Sequence, residues 1–201
     1  MAKTRKTPSL DGVRLFSGRC HPQLASKIAK HLRTPLGDIE LKTFPDEEVG
    51  VRVRESVRGD DIFFVQPICK SADGTMSIND VLIELLAACA AFRGASAKSV
   101  TAVIPYCAYG RQDRKATGRE PISARLIADM MTEAAGIDRV ITVDLHSTQI
   151  QGFFSCPVDH LPATTRIADF LKKRKFKRKR TIVVSPDAGG AKRARTYAQL
   201  L

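Results

Sequence analysis

Short apolar runs rich in β-branched residues alternate along this chain with longer segments whose apolar residues recur every three or four positions. The runs have the composition of buried strands, and the longer segments have the period of an amphipathic helix. A strand, a helix and a second strand in succession build a parallel sheet with helices on its faces. The pattern therefore predicts an α/β fold. Strands are expected at 13–16, 62–65, 100–104, 140–143 and 182–184, and helices at 22–32, 78–92 and 121–135.

Proline and glycine mark the expected ends of these helices. Pro22 and Pro121 suit the first turns of their helices, and Gly94 and Gly136 fall where C-terminal caps are expected. Residues 41–53 contain two β-like stretches separated by Phe-Pro-Asp-Glu-Glu. This segment predicts a hairpin or flap appended to the sheet.

Composition excludes several classes of protein. The 201 residues are 43% hydrophobic and 27% charged, which argues against wholesale disorder, a collagen-like repeat or a disulfide-stapled mini-protein. The longest apolar run, 81–92, contains Glu84 and is shorter than the roughly 20 residues that a bilayer requires. The basic N-terminus is followed by no apolar signal region. The five cysteines form no C-x-x-C pair, so we expect reduced thiols, a cytoplasmic protein and no zinc site.

The net charge of +12 is concentrated near the C-terminal end of the sequence. Residues 172–201 contain eleven Lys and Arg against one acid, Asp187. Such a basic run, densest at 172–180, could contact a phosphate backbone or act as a localisation signal. The interpretation we favour is a solvated linker between a helix and the next strand, because only Phe176 interrupts the run as an aromatic platform. Binding to nucleic acid or to a membrane is not expected.

In a parallel sheet, ligands bind outside the carboxyl ends of the strands, so the loops that follow the strands are the expected place for a site. The loop after 100–104 places Arg111, Gln112, Arg114 and Lys115 within five positions. Arginine can hold phosphates in bidentate fashion, and the glutamine amide can contact a base or a sugar. The loop is therefore either a polyphosphate clamp or a solvated polar loop, and spacing alone favours the second.

The loop after 140–143 begins Asp144-Leu145-His146. Alternation in an extended strand end would put Asp144 and His146 on the same side. The pair could hold a divalent cation or position water around one. A structural histidine held by hydrogen bonds explains the same pattern equally well.

The loop after 182–184 contains Asp187 and two glycines, Gly189 and Gly190, just before a segment, 192–201, that looks helical up to the last residue of the sequence. Free N–H groups at a helix N-terminus favour anions, and glycine permits close approach. Lys192 in the first turn opposes the helix dipole, as does its neighbour Arg193, and a bound phosphate would compensate for that. As a bare Gly-Gly motif, the signal is weak.

Together these strings resemble the ribose-phosphate diphosphokinase family, also called phosphoribosyl pyrophosphate synthetases. The resemblance covers most of the chain. Its most specific part is Asp-Leu-His-Ser-Thr-Gln-Ile-Gln-Gly-Phe-Phe at 144–154, followed by Pro-Val-Asp-His at 157–160. Further pieces are Leu-Phe-Ser-Gly at 15–18, Glu-Ser-Val-Arg-Gly at 55–59, Ala-Ser-Ala-Lys at 95–98, Thr-Ala-Val-Ile-Pro-Tyr at 101–106, Arg-Gln-Asp-Arg-Lys at 111–115 and Ser-Pro-Asp-Ala-Gly-Gly at 185–190.

The resemblance implies a type I phosphoribosyltransferase-like fold, a mostly parallel sheet flanked by helices with a second, similar domain. On that basis we expect a basic extension at 1–12, an N-terminal α/β domain at 13–160 and an incomplete start of the second domain at 161–201. The implied reaction transfers diphosphate from MgATP to ribose 5-phosphate and yields AMP and phosphoribosyl pyrophosphate for nucleotide biosynthesis. The implied cofactor is Mg²⁺, and the implied assembly is a homo-oligomer.

The resemblance also assigns roles to individual residues. Phe44 would stack on adenine, and the flap carboxylates and the 111–112 pair would complete the ATP site. The implied ATP-binding residues are Phe44, Asp46, Glu47, Glu48, Arg111 and Gln112, and the implied metal residues are Asp144, His146 and Asp187.

The sequence departs from the family pattern in several places. The flap usually reads Phe-Ser-Asp-Gly-Glu, whereas 44–48 here reads Phe-Pro-Asp-Glu-Glu. Glu47 removes a permissive backbone position and adds a carboxylate near a polyanion, and both changes oppose nucleotide binding. Ser155 stands where the family often has Asp, and 71–80 fits the usual pattern poorly.

Two family loops do not occur in these 201 residues: a Lys-Arg-Arg loop for the transition state and an Asp-Asp-x-x-Asp-Thr-x-Gly-Thr loop for ribose 5-phosphate. We therefore expect no catalytic residue in this chain, a largely missing ribose 5-phosphate pocket and no activity of the chain alone. The alternative is a non-catalytic partner that co-assembles with a full-length synthetase.

Overall fold

The expected alternation of strands and helices is present in a computed structural model of the chain, which describes residues 10–174 and 181–201. The chain divides into two units, the first ending at His160 and the second beginning at Leu161. Most of the predicted extension at 1–12, and positions 175–180 of the basic run, lie outside the described residues. Whether the second unit starts a further α/β domain stays a prediction.

The first unit is built on a mostly parallel sheet. Five strands lie in the order β1-β4-β5-β6-β7, and the pairs β1–β4, β4–β5 and β5–β6 are parallel. Strands β2 and β3 form the predicted hairpin as a separate antiparallel pair. The α/β class is confirmed. The strands are β1 (Val13–Ser17), β2 (Ile39–Thr43), β3 (Val49–Val53), β4 (Asp61–Val65), β5 (Ser99–Ile104), β6 (Arg139–Val143) and β7 (Val158–Leu161).

Five α-helices occur in the described residues, and three of them, α1, α2 and α5, follow the sequence prediction closely. The helix α1 has the predicted bounds with Pro22 in its first turn, where the missing N–H costs nothing. The bounds are α1 (Pro22–Leu32), α2 (Ile78–Gly94), α3 (Ser123–Asp129), α4 (Thr164–Lys173) and α5 (Ala191–Leu200), with a π-helical turn at Met130–Ala134 and a 3₁₀ segment at Thr148–Phe153.

Three phenylalanine rings form the centre of the core. Phe92 of α2 lies 4.7 Å from the ring of Phe16 on β1 and 5.8 Å from that of Phe64 on β4, measured between centroids. All three side chains are fully buried. Leu85 and Ala88 precede Phe92 at helical spacing and are buried with it, so one apolar face of α2 covers the sheet. Apolar residues of the hairpin pack against the same core.

The segment 71–80, which fits the family pattern poorly, satisfies its own polar groups. Asp73 accepts hydrogen bonds from the Ser71 hydroxyl and from the N–H and hydroxyl of Thr75, and these bonds lower the pKa of Asp73 to about 2. Ser77 and Asp80 form a reciprocal capping box at the start of α2. The loop therefore leads directly into a well-capped core helix.

The expected helix at 121–135 begins later than predicted. Pro121 lies outside α3, which starts at Ser123 without a side-chain cap. The first turn is instead tied to the preceding loop, because the Ala124 N–H donates to the Gln112 carbonyl oxygen at 3.2 Å and the Ser123 hydroxyl donates to Gln112 Oε1 at 2.5 Å. The loop thus takes the place of the missing side-chain cap.

The two predicted glycine caps have different outcomes. Gly136 has the left-handed φ of +66° expected after a helix end. Gly94 is instead the last residue of α2, and the left-handed position belongs to Ser96, with φ of +66°.

The predicted strand at 182–184 is wrong. Ile182 and Val184 are 85% and 79% exposed, and the residues around them have no regular structure. A strand requires a hydrogen-bonded neighbour, and Leu161 at the end of β7 is the only strand residue described in the second unit. The run has the apolar composition of a strand, but the described residues of the second unit contain no strand with which it could pair.

No helix in the described part of the chain is both long and apolar enough to cross a membrane.

We expect Phe92→Ala to lower the free energy of unfolding by about 3–5 kcal/mol, because it removes the ring that joins Phe16 to Phe64 and leaves a cavity. Ile83 of the same helix is 47% exposed, so Ile83→Ala should cost less than about 1 kcal/mol. Urea denaturation followed by circular dichroism measures both variants. Equal losses would mean that α2 does not carry the core.

Candidate functional site

Two loops that follow neighbouring strands meet at the carboxyl edge of the sheet. The Ser147 hydroxyl, after β6, donates to the Asp113 carboxylate, after β5, at 2.5 Å. A Cβ placed on Gly110 would lie 3.2 Å from the Cβ of His146, so glycine lets the two loops approach. The structure therefore brings the predicted loops at 105–115 and 144–147 together.

The loop after β5 presents its cations to solvent. The side chains of Arg111, Arg114 and Lys115 are exposed, and none of them forms an ion pair with a carboxylate of the described residues. Two hydrogen bonds hold Gln112 against α3: its carbonyl oxygen accepts from the Ala124 N–H, and its Oε1 accepts from the Ser123 hydroxyl. Because the next residue, Gln112, is fixed, the Arg111 side chain extends from a supported position at which it can bind an anion.

The turn after β6 differs from the extended geometry expected for Asp144-Leu145-His146. β6 ends at Val143, and Asp144 has a left-handed φ of +46°. Leu145 is buried among apolar side chains, whereas Asp144 and His146 on either side of it are exposed. The expectation of an extended strand end was wrong, but the two polar side chains still flank an anchored apolar residue.

The sequence did not identify His160 as part of this turn. Its Nε2 accepts a hydrogen bond from the Leu145 N–H at 3.1 Å, across fifteen residues of chain. This bond requires an unprotonated Nε2. The pattern Pro-Val-Asp-His was part of the family resemblance, but nothing in its spacing pointed to Leu145.

The hairpin carries the predicted flap residues in the loop between β2 and β3. The Phe44 N–H donates to the Glu48 carbonyl oxygen at 2.8 Å, and the Glu47 N–H donates to the Phe44 carbonyl oxygen at 2.9 Å. Glu47 has φ of +71°, in the left-handed region that favours glycine. Asp46 Oδ1 accepts the Glu48 N–H at 3.4 Å. This left-handed φ explains why the family pattern has glycine at the position where this sequence has Glu47.

The Phe44 ring is 40% exposed and lies beside the hairpin backbone. Lys42 Nζ is 4.6 Å from the ring centroid, within the range of a cation–π contact. A Cβ on Gly50 would come within 2.8 Å of the Phe44 ring and 2.9 Å of Lys42 Cγ. Gly50 therefore makes room for both side chains, a role the sequence did not reveal.

A buried polar network supports the hairpin from below. Glu84 of α2 is fully buried and accepts from the backbone N–H of Arg19 at 2.8 Å, from its Nε at 2.5 Å and from Gln66 Nε2 at 2.8 Å. Arg19 also donates through Nη1 to the Thr43 hydroxyl at 3.0 Å. The one signal in the sequence was a single acid inside the apolar run 81–92.

Asp187 belongs to the second unit. Its Oδ1 accepts the Gly190 N–H at 2.8 Å, just before α5, and Lys192 and Arg193 occupy the first turn of that helix as expected. Across residues 10–174 and 181–201, no three His, Cys, Asp or Glu side chains form a group placed to hold a metal ion. The set Asp144, His146 and Asp187 stays a prediction.

Residues 13–136 match the family described as the N-terminal domain of ribose phosphate pyrophosphokinase. The chain belongs to this family. It is 49% identical over 190 residues to a ribose-phosphate pyrophosphokinase of Clostridium perfringens, covering 94% of this chain and 57% of that protein. A Thermotoga maritima relative of the same name is 48% identical and is covered over 58% of its length. The chain thus spans less than two thirds of these pyrophosphokinases.

A solved structure supports the same placement. The crystal structure of phosphoribosylpyrophosphate synthetase from Mycobacterium smegmatis matches with a TM-score of 0.83 and 41% identity, over 93% of this chain and 60% of that one. The predicted resemblance to the family and the predicted fold class are therefore confirmed.

We expect Glu47→Gly to stabilise the chain by about 0.5–1 kcal/mol, because glycine occupies the left-handed region without the steric cost of a side chain. Glu48→Gly, the neighbouring change at a position with no left-handed φ, should be neutral or destabilising. Thermal unfolding of both variants checks the comparison. A loss of stability in Glu47→Gly would contradict the assigned loop geometry.

We expect His160→Ala to speed amide hydrogen exchange at Leu145 by about 5–10-fold, because the N–H loses its acceptor. His160→Gln keeps an acceptor at a similar reach and should restore much of the protection. Asp159→Ala, which removes only the exposed ion pair with Arg139, is the matched control. Unchanged exchange at Leu145 in His160→Ala would show that His160 does not hold the turn after β6.

Proposed function

We propose that this chain forms the ATP-binding part of a ribose-phosphate pyrophosphokinase, the enzyme that transfers the diphosphoryl group of MgATP to the C1 hydroxyl of ribose 5-phosphate. The observation that carries the proposal is the contact between the loop bearing Arg111 and the turn bearing His146. At the carboxyl edge of the parallel sheet, where ligands bind, exposed cationic side chains are thus near Asp144 and His146, two exposed side chains of kinds that can ligate a metal.

The base would stack on Phe44. Its ring is partly exposed at the tip of the hairpin, and base–aromatic stacking contributes about 1–3 kcal/mol per base. The oxygens of Asp46 and Glu48 can accept hydrogen bonds from the adenine amino group or the ribose hydroxyls. Glu47 adds a further negative charge to this loop, which repels phosphate and favours contact with the nucleoside end.

The phosphates would lie against the loop after β5. Arg111 offers planar bidentate donors, and its charge is not neutralised by any described carboxylate. The Gln112 Oε1 accepts from Ser123, an arrangement that orients its amide N–H groups for a ligand. These residues bind and orient the triphosphate rather than react with it.

The Asp144 carboxylate offers the oxygen that Mg²⁺ prefers, and this ion completes its shell with water and phosphate oxygens. Asp144 would hold it, and His146 would hold it or position a water molecule bound to it. When bound, the ion neutralises charge on the phosphates. The protein's part is to keep both side chains exposed on a turn that Leu145 anchors.

We further propose that the 201-residue chain binds nucleotide but forms no phosphoribosyl pyrophosphate alone. Its sequence contains neither the Lys-Arg-Arg loop nor the acidic loop for ribose 5-phosphate. With those groups missing, the transition state lacks its cations and the acceptor sugar lacks its pocket.

We expect Arg111→Ala to weaken binding of a non-hydrolysable MgATP analogue by about 10–100-fold, since a charge-assisted hydrogen bond contributes roughly 1.5–3 kcal/mol. Arg166→Ala removes the same charge from an exposed position on α4 and should leave the affinity unchanged. Titration calorimetry measures both. Equal affinities for the two variants would contradict the phosphate site.

An AMP-formation assay with MgATP and ribose 5-phosphate tests the second statement. We expect no turnover by the chain alone and turnover by a full-length relative under the same conditions. Co-purification of the chain with that relative would support the alternative role of a non-catalytic partner. Clear turnover by the chain alone would show that the two missing loops are not required.

A further inference from the structure

Two thiols lie in contact beneath the carboxyl edge of the sheet. Cys20 follows β1 and Cys69 follows β4, and their Sγ atoms are 3.5 Å apart. The Cys20 Sγ is also 3.3 Å from the carbonyl oxygen of Cys69. All five cysteines of the chain are free. Neither the fold nor the nucleotide site gives this pair a role.

We propose that Cys20 and Cys69 form a reversible disulfide by exchange with a small-molecule disulfide, and that this bond staples the loop after β1 to the loop after β4. An S–S bond is about 2.05 Å long, so the two sulfurs need to approach by roughly 1.5 Å. Strands β1 and β4 are hydrogen-bonded neighbours with aligned ends, Ser17 opposite Val65. The loops therefore start from a fixed separation, and the required movement is confined to the few residues beyond the strands.

The surroundings of the two thiols differ, and the difference sets the order of reaction. Cys20 is buried with Met76 and Val81, whereas Cys69 is only partly buried. Burial, the hydrogen bond to Cys69 and the nearby Glu84 carboxylate together raise the pKa of the Cys20 thiol to about 11. Cys69 is thus the thiol that a reagent meets first, and Cys20 is the internal partner that completes the bond.

The exchange proceeds in two balanced steps. The Cys69 thiolate attacks one sulfur of a disulfide RSSR, forming Cys69–S–S–R and releasing one RSH once a proton is taken up. The Cys20 thiolate then attacks the Cys69 sulfur, forming the Cys20–Cys69 bond and releasing the second RSH. Both protein thiols are oxidised, and the two sulfurs of RSSR are reduced.

The staple would act on the network that supports the hairpin. The Cys20 N–H donates to Gln66 Oε1 at 3.3 Å, and the preceding residue, Arg19, binds both Glu84 and Thr43. A bond across these loops also constrains the unfolded chain over the 49 positions between the two cysteines. Oxidation should therefore make the carboxyl edge more rigid and the first unit more stable.

The test uses the full chain treated with oxidised glutathione, followed by thiol blocking, tryptic digestion and mass spectrometry. We expect a disulfide-linked pair of peptides, 20–27 and 59–70, as the main oxidised species. The melting temperature should rise by roughly 5–10 °C and return to its starting value after dithiothreitol. This mapping is done on the unaltered chain, so it does not depend on how any variant folds.

Substitutions then assign the effect. Cys20→Ser and Cys69→Ser should each abolish both the linked peptides and the rise in melting temperature, whereas Cys156→Ser, at another partly buried cysteine, should keep both. The proposal is overturned if glutathione remains attached to Cys69 without the internal link. It is also overturned if both thiols stay reduced, or if Cys20→Ser shows the same rise.

Discussion

The carboxylate of Glu84 is the point on which the arrangement of this chain's candidate site depends. It has no exposure to solvent, and it is the only carboxylate in the described residues of which this is true. A buried charge costs several kcal/mol unless it is fully paired, so its partners must stay in place. Those partners, Arg19 and Gln66, come from the loops after β1 and β4. Through Arg19 and Thr43, the same charge reaches the hairpin that carries Phe44.

The candidate site itself consists of loops that the parallel sheet gathers at one edge. The loop after β5 and the turn after β6 come from adjacent strands, and Ser147 and Asp113 join them. Further hydrogen bonds fix each loop. Gln112 ties the loop after β5 to α3, and the Leu145 N–H ties the turn after β6 to His160. Exposed charged side chains on such supported loops can bind a polyanion with little further ordering.

The sequence was a good guide wherever structure is set by local pattern. The bounds of α1, the existence of the hairpin and the helix at the end of the sequence all follow from nearby residues. It failed at 182–184, where apolar composition suggested a strand that has no described neighbour, and at Pro121, where the loop at Gln112 moved the start of α3. In both cases the outcome depended on which other segment was present to form hydrogen bonds, and the local pattern does not contain that information.

The amino-acid sequence by itself determined the alternation of strands and helices, and hence the α/β class, because the periods of 2 and 3.6 residues are local properties. It also placed polar residues at the ends of the right strands. Only the tertiary structure decided which of them meet. The contact of His160 with Leu145, the approach of Cys20 to Cys69 and the burial of Glu84 all join residues at least fifteen positions apart. Such contacts depend on how the strands are ordered in the sheet, which no local pattern encodes.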